Sequence, residues 1–278
     1  MSAAGYGVDA SSVLFVPGTR PDQFDKAVAS GADAVVLDLE DAVSPADKSS
    51  ARIAVARYVE RNRVLVRVNA PSTSWYEEDL AALVGADGVA GIVLPKAESA
   101  DQIAELGERT GQRVFALIES ARGVRDVGLI AAAPHAARLI FGALDFALDA
   151  GITVRSSDEH ELLFARSAIV VASRAASLPG PIDAVQPEIE DDAATIASTR
   201  AGADLGFTGK LCIHPRQVPL VHQGFAPSEG DLAWARRVLE VASESDGAAV
   251  RVDGAMIDKP RLDIARRIVR ASERPDRA

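Results

Sequence analysis

The residues able to do chemistry recur at one kind of place. Arg20, Asp38, Glu40, Asp41, Arg67, Asn69, Lys96, Glu119, Asp145, Glu188 and His214 each stand at or just past the end of a short apolar run. Helix capping explains an isolated Asp or Glu after a strand, but not the arginines and the lysine. Glu119 and Asp145 follow the fifth and sixth runs, so both carboxylates can aim at one point. Two hard oxygen donors with room for water and substrate suit Mg²⁺ better than zinc. The alternatives are a helix cap for Glu119 and an arginine pair for Asp145. Arg67 offers a planar fork that matches a carboxylate bidentately, and Arg20 can do the same. Either could instead neutralise the acidic cluster Asp38, Glu40 and Asp41. Lys96 could form a Schiff base, hold a phosphate or pair with Glu119, and the pairing is the favoured reading. His214 reads as a satisfied histidine, Lys48 and Arg52 as solvated helix residues, and Cys212 as inert core.

The elements that must position these groups follow a repeating pattern. Val13–Val16, Ala34–Leu39, Val64–Val68, Gly91–Leu94, Val114–Ile118, Arg138–Phe141, Ile182–Val185 and Lys210–Ile213 are short apolar runs closed by Gly, Pro or charge. Such runs fit strands buried on both faces. Between them lie helix-like stretches at Asp22–Ser30, Pro45–Arg61, Glu77–Val84, Ala100–Arg109, Val124–Ala132, Asp158–Ala176 and Asp191–Ala201. Strand alternating with helix implies parallel pairing, and eight units point to a (β/α)₈ TIM barrel of the α/β class. A doubly wound open sheet is the rival, but Val16-Pro17-Gly18-Thr19-Arg20 is not the glycine-rich phosphate loop it would favour. In a barrel the chemistry gathers where the strands end.

After Phe225 the rhythm changes. Ser228 with Asp231 opens a helix reaching about Ser243, Ser245-Asp246-Gly247 makes a turn, Ala249–Val252 a strand, and Pro260 a last helix to about Ala271. The division is thus a barrel over 1–225 and an appendix over 226–278. The appendix is too small to fold unaided, so it packs on the barrel or on a neighbouring subunit.

With 278 residues, about half of them apolar, the chain can bury a full core. Lys plus Arg is 30 against 40 for Asp plus Glu, a formal charge of −10, which argues against nucleic acid or an anionic membrane as partner. One cysteine excludes a disulfide framework, and four scattered histidines give no zinc site. The sequence shows neither a long apolar span nor a leader-like start, which implies a cytoplasmic protein.

Taken together, the motifs resemble a known family. Val13-Leu14-Phe15-Val16-Pro17-Gly18 and Asp38-Leu39-Glu40-Asp41-Ala42-Val43, with Lys48 and Ala51-Arg52, look like the citrate lyase β-subunit-like family of the HpcH/HpaI aldolase superfamily. The likeness continues through Arg67-Val68-Asn69, Pro95-Lys96, Glu119-Ser120-Ala121-Arg122-Gly123, Phe141-Gly142-Ala143-Leu144-Asp145-Phe146 and Gly209-Lys210-Leu211-Cys212-Ile213-His214-Pro215. These fall on seven of the eight strand ends. Gly254-Ala255-Met256-Ile257-Asp258-Lys259-Pro260 resembles the C-terminal segment of malyl-CoA and citramalyl-CoA lyases.

The resemblance implies a homotrimeric or homohexameric TIM barrel. Its activity would be Mg²⁺-dependent cleavage or formation of a C–C bond in a 3-hydroxyacyl-CoA thioester such as malyl-, citramalyl- or citryl-CoA. It puts the metal on Glu119 and Asp145 and the ketoacid end of the substrate on Arg67. Arg20, Lys96 and the cluster holding Glu40 and Asp41 would line the same mouth. Asp258 would reach a neighbouring subunit's site, although by itself it reads as an acid favourable near a helix N-terminus. The net charge does not exclude a CoA, because Arg20, Arg67, Lys96, Arg122, Lys210 and Arg216 are all expected near the mouth. The rival readings are an HpcH/HpaI-type aldolase on free hydroxy-ketoacids, the β subunit of a multisubunit citrate lyase, a Schiff-base aldolase through Lys96, and a non-catalytic binding partner. Thioesterase action at the same site is a further possible outcome.

Overall fold

Runs of apolar residues too short for helices and closed by polar groups become strands whose two faces are both covered. The computed structural model describes residues 5–155, 158–243, 250–252 and 255–272. Its first half runs β1 (Ser12–Pro17), α1 (Pro21–Val28), β2 (Ala34–Asp38), α2 (Lys48–Val59), β3 (Val64–Arg67), α3 (Trp75–Leu83), β4 (Val89–Leu94) and α4 (Ala100–Thr110). The second half runs β5 (Val114–Ile118), α5 (Ala121–Ala131), β6 (Ala136–Phe141), α6 (Ala143–Asp149), α7 (Leu163–Ala175), β7 (Ile182–Asp183), α8 (Asp192–Leu205), β8 (Gly209–Cys212) and α9 (Gln217–Phe225). The eight strands pair in sequence order, all parallel, and β8 closes on β1. The fold is a (β/α)₈ barrel. Every residue of β2, β4 and β5 is buried, which is why these strands read as unbroken apolar runs.

Side chains fill the barrel interior, including Val13, Val36, Leu65, Val93, Phe115, Leu117 and Ile140. Its N-terminal end is sealed by Arg138, which is fully buried. Its guanidinium donates to the carbonyls of Gly180, Gly7 and Ala10 and to Thr208 Oγ1. The opposite end is left open for the site.

Several expected boundaries shift. The stretch from Pro45 begins as a 3₁₀ turn, Pro45–Asp47, before α2. Helices α6 and α9 were not anticipated, so Asp145 lies in the first turn of a helix rather than in a loop. The seventh strand shrinks to Ile182–Asp183. Asp183 is gripped from the side by Arg166, with Nη2 to Oδ2 at 2.6 Å, and Ala184 and Val185 then leave the ladder.

By its internal contacts the chain divides into two units, Met1–Gly224 and Phe225–Ala278. The second contains α10 (Glu229–Ser243), an antiparallel pair of β9 (Val250–Val252) with β10 (Ala255–Ile257), and α11 (Lys259–Ser272). Ala235, Val238, Val252, Ile257 and Ala265 form its core. Ser228 caps α10 by accepting from Asp231 N. The turn expected at Ser245–Gly247 lies outside the described residues. No helix among the described residues is long and apolar enough to cross a membrane.

Candidate active site

The acidic turn after β2 is held from two sides. Asp38 is buried and accepts from the backbone N–H groups of Glu40 (2.9 Å) and Ala42 (3.2 Å). Arg67, at the end of β3, donates through Nε and Nη2 to the two oxygens of Asp38 at 2.6 and 2.7 Å. Its remaining Nη1 lies 2.9 Å from Glu40 Oε2 and its guanidinium carbon 5.0 Å from the centre of the Phe15 ring. The arginine thus neutralises the acidic cluster, one of the two roles open to it from sequence.

Behind the turn runs a buried polar chain. Lys48 Nζ donates to the carbonyls of Leu39 and Glu40 and to Asn69 Oδ1 at 2.6–2.7 Å. Asn69 donates to Asp79 Oδ2, and Arg52 Nε to Asp79 Oδ1. Lys48 and Arg52 are therefore not solvated helix residues. They are buried because carbonyls at the end of β2 and the Asp79 carboxylate need donors there.

Glu119 and Asp145 come to one cavity of about 330 Å³ at the open end, shared with Asp38, Asp41, Arg67 and the apolar ends of β7 and β8. Glu119 Oε1 accepts from Lys96 N at 2.8 Å. That contact follows from the left-handed backbone of Lys96 (φ 48°), a conformation that lysine rarely adopts and that is retained where the surroundings demand it. Lys96 Nζ stands 3.4 Å from Glu40 and 3.8 Å from Glu119. Burial, reinforced by the charge of Glu40, pushes the Glu119 carboxyl up to about 8. Burial likewise lifts Glu40 to about 6, and its Oε2 meets Arg67 Nη1 as an ion pair without hydrogen-bond geometry to any described residue. Asp145 is half-buried and makes no hydrogen bond or ion pair with the described residues.

This arrangement fits Mg²⁺. A carboxylate whose charge is penalised by burial is stabilised by a cation beside it. Gly142 leaves the space open, since a Cβ there would lie 2.7 Å from Glu119 Oε2. Among the described residues no third carboxylate, histidine or cysteine completes a metal cluster. The remaining positions would fall to water and substrate oxygens, as Mg²⁺ favours.

A pH dependence follows. In EDTA the folded chain keeps a proton on Glu119 up to about 8, whereas the unfolded chain releases it near 4.5. The folded state binds more protons across that window, so stability falls as pH rises from 4.5 towards 8. Glu40 adds to the same trend up to about 6. Mg²⁺ requires the ionised Glu119, so the rise in thermal midpoint on adding Mg²⁺ should be larger above about pH 8 than near pH 6. Melting curves in EDTA and in Mg²⁺ across pH check this, and a pH-independent rise would contradict it.

Of the sequence-predicted residues, Arg67, Asp41, Glu119 and Asp145 line the cavity, and Glu40 and Lys96 stand behind or beside it. Arg20 does not line it. Its guanidinium is exposed and turned to Asp22 at 3.1 Å, two residues along the chain, where the local pair forms without crossing the mouth. Lys210 is buried in the barrel wall with Nζ 3.7 Å from Asp183. Arg122 and Arg216 pair with Glu98 and with Glu190 and Asp192. Asp258 is exposed in the second unit, where it caps α11 by accepting from Arg261 N at 3.1 Å. Ser120, not Glu119, caps α5. Cys212 is buried and its thiol pushed up to about 12 by burial, which leaves it inert. Sequence reasoning missed the joint work of Lys48, Asn69 and Asp79, and the space kept by Gly142.

The profile of the HpcH/HpaI aldolase/citrate lyase family matches residues 11–215. The chain belongs to this family. A citrate lyase subunit beta-like protein of Mycobacterium tuberculosis is 41% identical over 261 residues, covering 92% of this chain and 93% of its own length. A (3S)-malyl-CoA thioesterase of Cereibacter sphaeroides is 31% identical, with 94% of each chain covered. The crystal structure of the protein CitE from Mycobacterium tuberculosis in complex with magnesium, acetoacetate and coenzyme A superposes with a TM-score of 0.85 at 38% identity. It covers 95% of this chain and 98% of that one. The family match runs from the start of β1 to just past β8, so every cavity residue lies inside it, and Asp258 lies beyond it.

Proposed function

We propose that the chain is a Mg²⁺-dependent carbon–carbon lyase acting on a 3-hydroxyacyl-CoA thioester such as malyl-, citramalyl- or citryl-CoA. The observation that carries this reading is the meeting of Glu119, Asp145 and Arg67 in one cavity of a chain from this family. Glu119 and Asp145 would hold Mg²⁺, which as a Lewis acid polarises the oxygens of a hydroxy- or ketoacid. Arg67, held by Asp38, presents fixed positive charge to the carboxylate end of the substrate, at a place where the bond-breaking oxygen gains charge. Asp41 on the cavity wall and Glu40 behind it supply carboxylates able to exchange the proton of the 3-hydroxyl. Lys96 offsets their charge and contacts substrate from the rim. Arg20, further out, is left for the CoA-bearing part. Asp258 from a neighbouring subunit protonates the enolate of the departing thioester fragment or, in reverse, removes its α-proton. This requires a homotrimer or homohexamer in which the second unit covers another chain's barrel. The reading also makes the protein cytoplasmic, where CoA thioesters are made and used. The Cereibacter relative favours a second outcome at the same site, hydrolysis of the thioester after condensation.

A mass-spectrometric screen of 3-hydroxyacyl-CoA thioesters, each with Mg²⁺ and with EDTA, tests the proposal. Ketoacid and acyl-CoA should appear with Mg²⁺ and be lost in EDTA. Full activity in EDTA would sink the metal assignment, turnover of free hydroxy-ketoacids would favour the aldolase reading, and a borohydride-trapped adduct on Lys96 would favour a Schiff base.

A further inference from the structure

Apolar residues such as Phe15, Pro17, Leu117 and Phe141 line the cavity on several sides, but its charge is confined to part of the rim. Its charged lining comes from the strand ends and following turns of β2, β3, β5 and β6, as Asp38, Asp41, Arg67, Glu119 and Asp145. The ends of β7 and β8 contribute only Ala184, Val185, Leu211 and Ile213. On β7, Asp183 is paired with Arg166 and Lys210, and the next two residues, past the end of the ladder, line this wall of the cavity.

We infer that this wall selects the fourth substituent on the carbinol carbon of the substrate, accepting hydrogen or methyl and rejecting a carboxymethyl group. The inference rests on the lyase reading and narrows it, favouring malyl- or citramalyl-type thioesters over the citryl type. A carbinol carbon has four substituents. The hydroxyl and its neighbouring carboxylate must face the acidic half, where the cations are. The thioester arm must leave through the mouth, because a CoA cannot fit in about 330 Å³. Tetrahedral geometry then directs the last substituent at Ala184, Val185, Leu211 and Ile213. A methyl is well matched to those atoms. A carboxylate there would lose its water against apolar carbon with no cation to meet it.

Among the described residues lining the cavity, no spare positive charge is at hand to relieve that penalty. Arg67 is already bound by Asp38 and Glu40, and Lys96 stands between Glu40 and Glu119. Arg20, Arg122 and Arg216, none of which lines the cavity, each hold a carboxylate of their own. Carboxylates outnumber cations in the site, so a bound divalent ion brings it only near neutrality. One substrate carboxylate is accommodated on that side; a second is not.

The test uses the full-length protein with two readouts. Steady-state kcat/KM for malyl-, citramalyl- and citryl-CoA should favour one of the first two over citryl-CoA by about a hundredfold or more. Calorimetric binding of ketoacids with Mg²⁺ should place 2-oxopentanoate, similar in size but uncharged at its far end, at least about tenfold tighter than oxaloacetate. Replacing Ile213, which is 41% exposed, by Lys should narrow both ratios. Val185→Lys should do the same from deeper in the wall, and the exposed position keeps the test open should that variant not fold. Citryl-CoA turned over as well as the others, or oxaloacetate bound as tightly as 2-oxopentanoate, would overturn the inference while leaving the lyase reading intact. Absence of cleavage of all three thioesters would count against the lyase reading, and the ketoacid ratios would still decide the wall.

Discussion

Glu119→Gln and Asp145→Ala are each expected to lower turnover by on the order of a thousandfold or more, the scale of the several kcal/mol that Lewis-acid stabilisation contributes, without unfolding the barrel. Glutamine preserves the shape of Glu119 and the acceptor for Lys96 N. It also removes a charge that burial resists strongly enough to push that carboxyl up to about 8. In EDTA above about pH 8, Glu119→Gln should therefore melt no lower than the parent, and Mg²⁺ should no longer raise its midpoint. Asp145 has no partner among the described residues, so its removal leaves no buried group stranded. Loss of activity at unchanged stability separates a ligand from a scaffold residue; unchanged activity in either variant would refute the assignment. The same variants test the subunit arrangement. Asp145→Ala and Asp258→Ala chains, each inactive alone, should regain turnover when co-expressed if Asp258 serves a neighbour's site. Each barrel lacking its own Asp258 would then keep Asp145 and borrow the other acid. Continued inactivity would place Asp258 in its own chain's site or outside the chemistry.

How far the sequence leads depends on how local the cause is. The barrel was legible because burial on both faces writes itself into each strand as a continuous apolar run, as in Val89–Leu94. The strand-end residues were legible for the same reason, since the first polar residue after such a run must emerge at the open end. What was not legible depends on partners distant in the chain. Lys48 looks like any helix-surface lysine until Leu39, Glu40 and Asn69 place three acceptors around its ammonium. Lys210 looks like a mouth residue until Asp183 draws it into the wall. Arg20 shows the converse, a local partner at Asp22 taking a group that its strand position offers to the mouth. Helix α6 escaped notice because its seven residues, ALDFALD, are too few to show a period. The apolar wall of β7 and β8 has no motif at all; it is visible only once the strands stand side by side.

Arg67 carries the other large expectation, in stability as well as activity. Its guanidinium, with 12% of the side chain exposed, is the cation that Asp38 and Glu40 share, and Asp38 is itself only 1% exposed. Arg67→Met leaves Asp38 buried without its cation and Glu40 with only Lys96 beside it, a change that costs roughly 3–5 kcal/mol and about 10 °C in melting temperature for a chain of this size. Arg67→Lys should recover little, because an ammonium cannot reproduce the two parallel hydrogen bonds to Asp38. The loss should shrink in acid. Without Arg67, burial of Glu40 is opposed by less positive charge, so Glu40 holds its proton more tightly in the folded state than in the unfolded one and the variant's stability falls as pH rises. Stability alone would describe a structural ion pair, so a second variant separates the roles. Arg67→Met combined with Asp38→Asn removes the main stranded charge and should regain much of the melting temperature while remaining inactive, because the substrate's carboxylate has still lost its partner. Recovery of activity along with stability would show that Arg67 acts only by holding the turn, and that the ketoacid end of the substrate is gripped elsewhere.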